Sequence, residues 1–364
     1  MATITSAQIT AFYLFDVSES IHLQQLPGLL QTSAQPARLA SKPAIPSYVR
    51  YQSPPLQVDG DAIGVADLDG YDVRIKAFDY GVVSLSLTKA FRGSWEELIA
   101  TAARLTVENA LEAGAERICN GFAQRIQTAL DQPRERFLSE DYFVFSVTAF
   151  DRPLSADAVV AEAGHEIARL LRAEVQPLSQ QERDEVLRHR LSYLANDLVV
   201  PTWSTALVYD TESSIQGALE IFEYANSQLL QFRYYDDLLN GRLASIYREL
   251  ETRKSYNHWW PRRYTRAARQ VHALFIDVNE LTDRTENALK LVGDVYAARL
   301  LALAHSRLGV TAWRESVLDK LKTLDEIYRF AVDQTAMERG ELLEIAVVII
   351  LMFELALFFM GIMK

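Results

Sequence analysis

The stretch VRIKAFDYGVVSLSL, residues 73–87, decides how the first half of the chain is read. Between Leu56 and Leu87 the sequence falls into short runs punctuated by Asp59-Gly60 and Asp69-Gly70, pairs that suit hairpin turns. VRIKAF and YGVVSLSL are therefore predicted as neighbouring antiparallel strands. Upstream, Ile9–Val17 (ITAFYLFDV) is rich in β-branched and aromatic residues and reads as a further strand. Pro27, Pro36, Pro43, Pro46, Pro54 and Pro55 mark an irregular connection between the two. Downstream, Ser94 followed by Glu97 has the spacing of a capping box. It opens a helix carrying Trp95, Leu98, Ala102 and Leu105 at helical intervals, which continues to about Leu130 with a break at Gly114. Tyr142–Phe150 is another strand and Ser155–Val175 another helix. A mixed sheet of four or five strands, covered by helices on one face, is the economical packing.

Beyond residue 179 the pattern is helical. Ser179–Asn196 and Ser213–Lys254 are long periodic segments separated by DLVVPTWSTALVYD, where Pro201 interrupts any continuous helix. Val271, Leu274, Val278, Leu281, Thr285, Ala288, Val292 and Val295 alternate steps of three and four, a heptad seam. After a turn at Gly309, Val317, Leu321, Leu324, Tyr328, Ala331 and Thr335 form a second seam. The expected fold class is thus α+β: a mixed-sheet domain over 1–178, a coiled-coil-like helical hairpin over 179–342, and a membrane segment over 343–364.

That last segment rests on Ile345–Met363, 19 residues whose one charge is Glu354. At 1.5 Å per residue the run reaches about 28 Å, close to the hydrocarbon thickness of a bilayer. Met1–Ser20 contains no Lys or Arg, so neither a secretory signal nor a transit presequence is expected there. The expectation is a single-pass protein held by a C-terminal anchor, with the bulk of the chain in the cytoplasm. A carboxylate within the bilayer is costly unless protonated, paired or turned to a protein interior. Glu354, with Glu344 just before the run, is the candidate intramembrane polar site, and self-association of the anchors is preferred over a conducting path because there is no second span.

The chain of 364 residues is long enough for about two domains. Its net charge of −11 argues against a wholesale nucleic-acid binder, and its single cysteine, Cys119, excludes an internal disulfide or a cysteine metal cage. No HExxH, GxSxG, GxGxxG or P-loop sequence is present. Asp59, Asp61, Asp67, Asp69 and Asp72 cluster, but calcium-loop spacing puts Ile63 and Gly70 where oxygen ligands belong, so solvated turns are the better account. No metal, cofactor or catalytic role is expected.

Two polar clusters remain. In EYANSQLLQFRYYDD, Glu223, Asn226, Arg233, Asp236 and Asp237 lie along one broad helical side, with Arg233 in reach of Asp236 or Asp237. Paired carboxylates suit acid–base chemistry, but a structural polar network is preferred. Arg253, Lys254, Arg262, Arg263, Arg266 and Arg269 stand close together, interleaved with Tyr256, His258, Trp259, Trp260 and Tyr264. They suit the phosphates of anionic lipid, RNA or a ribosome, or else pack a helix–helix corner.

FDYGVV (Phe78–Val83) followed by LEIFEYANSQLLQFRYYDDLL (Leu219–Leu239) resembles the required-for-meiotic-nuclear-division family, also called domain of unknown function 155. The resemblance implies a membrane-bound, self-associating protein of bacterial type without established catalytic residues, in a family whose mitochondrial members support mitochondrial translation. The layout is also similar, more loosely, to CorA-type magnesium channels. Here, however, Gly361-Ile362-Met363 is followed by Lys364 rather than by a second span.

Overall fold

The computed structural model describes residues 2–30, 35–36, 54–65, 67–251, 273–283 and 295–359. They form two compact units, Met1–Tyr234 with Asp283–Arg314, and Tyr235–Thr282 with Glu315–Lys364.

The first unit is α+β. Its strands in chain order are β1 (Ile4–Asp16), β2 (Ser20–Ile21), β3 (Gln35–Pro36), β4 (Leu56–Asp59), β5 (Asp67–Leu68), β6 (Tyr71–Ala77), β7 (Val82–Gly93), β8 (Leu130–Asp131), β9 (Leu138–Phe150), β10 (Leu198–Pro201) and β11 (Thr205–Tyr209). The main sheet has the order β10-β11-β9-β1-β7-β6-β4-β3, with β5 beside β6 and a small β2–β8 pair apart. It is mixed: β11 runs parallel to β9, whereas β1 is antiparallel to both β7 and β9. The predicted hairpin is present, with Ala77 opposite Val83 and Val73 opposite Leu87. Asp69 and Gly70 both have positive φ in the two-residue turn joining β5 to β6, the conformation such hairpins need.

Helices α1 (Leu26–Leu30), α2 (Trp95–Thr106), α3 (Glu112–Arg125), α4 (Ala156–Arg172) and α5 (Gln180–Arg188) follow the strands. Ser94 caps α2 in a capping box with Glu97, as its spacing predicts. The helical stretch expected from Ser94 to Leu130 is broken as expected, but at residues 107–111, where Asn109 takes a positive φ, rather than at Gly114, which lies inside α3, and α3 ends at Arg125. One face of the sheet, with Ile9, Ile75, Leu85 and Phe145, shares a single apolar cluster with Leu98 of α2, Phe122 of α3, Ile167 of α4 and Val186 of α5. Burial of that face is the main drive for folding the unit.

Two expectations are corrected here. The sheet does not end at residue 178: DLVVPTWSTALVYD forms the hairpin β10–β11, which adds to β9. Pro201 is accommodated because β10 is an edge strand, where a missing N–H is tolerated. Nor is one face of the sheet left uncovered. Helix α6 (Glu212–Glu251) lies against it, with Phe222 stacked on Tyr142 at 5.4 Å between ring centroids. Helix α8 (Val295–Leu308) follows helix α7 (residues 273–283) and contacts β10. Gly309 then turns the chain into α9 (Val310–Phe359).

In the second unit, the seam residues Val278 and Leu281 of α7 and Val317, Leu321 and Leu324 of α9 are buried. Val271, Thr285, Ala288 and Val292 lie outside the described residues. Val295, expected to close the first seam, is 71% exposed at the start of α8 in the first unit. Among the described residues no helix is long and apolar enough to cross a membrane. The apolar run expected to do so is described only from Ile345 to Phe359, short of the roughly 20 residues a span requires.

Gly81 has φ +85°, and a Cβ there would lie 1.8 Å from the carbonyl oxygen of Ser18. Gly81→Ala should lower the stability of the first unit by about 2 kcal/mol or more. Gly121→Ala, exposed within α3 with open space around it, should raise stability by about 0.5–1 kcal/mol. Chemical unfolding followed by circular dichroism reads both.

Candidate functional site

The polar stretch of α6 is the most chemically dense part of the first unit. From Ile221 to Phe232 every side chain is buried, although Glu223, Asn226, Ser227, Gln228 and Gln231 are polar. Buried polar groups require partners, and here each finds a different one. Lys76, projecting from β6, donates to the Glu223 carboxylate, and both side chains are almost wholly buried. Tyr80, in the turn between β6 and β7, lies 2.6 Å from the Ser227 hydroxyl, which itself donates to the carbonyl of Tyr224. Asn226 donates back to the Phe222 carbonyl at 2.8 Å.

At the end of β1, Asp16 accepts from Arg134 Nε at 2.9 Å and from Gln231 Nε2 at 3.2 Å. Arg134 also lies 3.9 Å from the centre of the Tyr234 ring. Burial pushes the Asp16 carboxyl above its ordinary value, while Arg134 and Gln231 pull it back down. Burial likewise raises the Tyr234 phenol. On α8, His305 Nε2 is 2.7 Å from Gln228 Oε1, and Gln228 Nε2 donates to Tyr224 Oη at 2.8 Å. Burial, helped by the nearby positive charge of Arg314, lowers the His305 imidazole from 6.5 to about 4. It is therefore neutral at pH 7.

The five residues expected to form one network are distributed over separate partners. Glu223 meets Lys76. Arg233 does not pair with Asp236 or Asp237; it pairs with Glu140 on β9 and lies 5.9 Å from the Trp313 ring, and burial lowers its guanidinium. In the second unit Asp236 accepts from Ser316 at 2.8 Å, Lys320 at 2.6 Å and Asn240 at 3.0 Å. Asp237 is exposed. Arg233 is drawn away because a strand supplies a carboxylate, whereas Asp236 is taken by a cation of its own unit. Sequence reasoning passed over Asp16, Arg134, Gln228, Gln231 and His305. The one local signal was Asp16, a charge closing the apolar strand ITAFYLFDV.

The six basic residues Arg253, Lys254, Arg262, Arg263, Arg266 and Arg269 lie outside the described residues. Glu344 is exposed on α9, and Glu354 lies on the helical backbone of α9. Among the described residues, no three His, Cys, Asp or Glu side chains gather in a metal-binding group.

These features define an α+β protein whose mixed sheet is apolar towards one helical layer and polar towards the other. The chain belongs to the family described as uncharacterized protein MJ0711, N-terminal domain, whose model matches residues 6–215. Uncharacterized protein MJ0711 of Methanocaldococcus jannaschii is 22% identical over 223 residues, 61% of this chain and 66% of that protein. The chain thus spans about two thirds of that relative's length. No solved structure matches. The matched residues include FDYGVV but stop before Leu219–Leu239, the longer of the two motifs behind the resemblance drawn from the sequence.

Breaking the Lys76–Glu223 pair leaves one buried charge alone. Glu223→Gln should cost about 3–5 kcal/mol, and the double change Lys76→Met with Glu223→Leu should recover most of that loss in denaturant titrations. For His305 the folded value lies below the unfolded one. Its contribution is thus complete above pH 6.5 and lost as pH falls through about 4. The linked stability is on the order of 3 kcal/mol. Unfolding midpoints between pH 7.5 and 4.5 should fall more steeply for the native chain than for His305→Gln.

Proposed function

We propose that this chain is a membrane-anchored, self-associating scaffold without a catalytic role, its α+β unit lying on the cytoplasmic side. The observation that supports the reading is the state of α9 from Ile345 to Phe353. Ile345, Val347, Val348, Ile349, Ile350, Leu351, Met352 and Phe353 are between 53% and 67% exposed. Successive helical residues turn by about 100°, so these side chains surround the helix rather than forming a stripe. A partner helix in water covers a stripe, whereas lipid covers a circumference. In the sequence the apolar run continues to Met363, about 28 Å at helical rise. Glu354 inside that run favours association of several chains, because a polar side chain in hydrocarbon is stabilised by a partner across a helix interface.

The full chain should remain with membranes after alkaline carbonate washing, and a chain truncated after Glu344 should be released. In mild detergent the full chain should crosslink as an oligomer, and Glu354→Leu should weaken the association. Recovery of the full-length chain as a soluble monomer would sink the reading.

A further inference from the structure

We draw no further inference here: the strongest candidate, the surface patch of exposed Tyr193, Leu194 and Trp203 side chains in the loops that flank edge strand β10, carries nothing because nothing in the structure shows what covers it.

Discussion

Helix α6 is enclosed along Ile221–Phe232, and that enclosure constrains everything around it. A helix buried on all sides is normally apolar on all sides. This one carries a carboxylate, three amides and a hydroxyl into the interior, and each must meet a matching group. Glu223 needs Lys76, Ser227 meets Tyr80, Gln231 reaches Asp16, and Gln228 reaches His305. These partners sit on β6, on the turn after it, at the end of β1 and on α8. A slip of one residue rotates the helix by about 100° and shifts it by 1.5 Å, enough to separate all four contacts at once. The rotation and axial position of α6 are thereby fixed, at the cost of burying charges that an apolar helix would not contain.

The two faces of the sheet follow different rules as a result. Towards α2–α5 the packing is one continuous apolar cluster, where shape and volume decide what is tolerated. Towards α6 the contacts are discrete and polar, broken by apolar contacts such as Phe222 on Tyr142. Apolar packing forgives small shifts, whereas a buried ion pair or a two-sided amide does not. Among the described residues, the buried hydroxyls of Thr10, Ser84 and Ser146 on this same face have no hydrogen-bond partner, so its polarity exceeds what the described part of α6 satisfies.

The parts of this arrangement legible in the sequence are those set by neighbouring residues. β1, the β6–β7 pair and the Ser94–Glu97 cap were readable because alternation, turn chemistry and cap spacing are local. β10 and β11 were not: each has five residues or fewer, and Pro201 reads as a break unless one knows that its strand lies at an edge. The polar residues of α6 stood out, but their partners did not. Glu223 and Lys76 are 147 positions apart, and Gln231 and Asp16 are 215 apart. Helical spacing offered Asp236 and Asp237 to Arg233; only the tertiary fold presents Glu140. Glutamines were undervalued for a similar reason, because an amide matters once it is buried, and burial is not a local property.

The span of the family match sharpens the role of α6. Residues 6–215 contain the sheet and its apolar helical layer, and end within the first turn of α6. Asp16, Lys76, Tyr80, Glu140 and Tyr142 all lie inside that span, yet Gln231, Glu223, Ser227, Arg233 and Phe222, which meet them, all lie beyond it. A fragment ending at residue 215 would keep its apolar cluster while leaving Lys76 and Glu140 without counter-charges and the Tyr142 ring without its stacking partner. Because it is α6 that takes this face of the sheet out of water, the charges there are tolerated in the full chain only because the same helix brings their counter-groups. The segment after residue 215 completes the sheet rather than merely extending it.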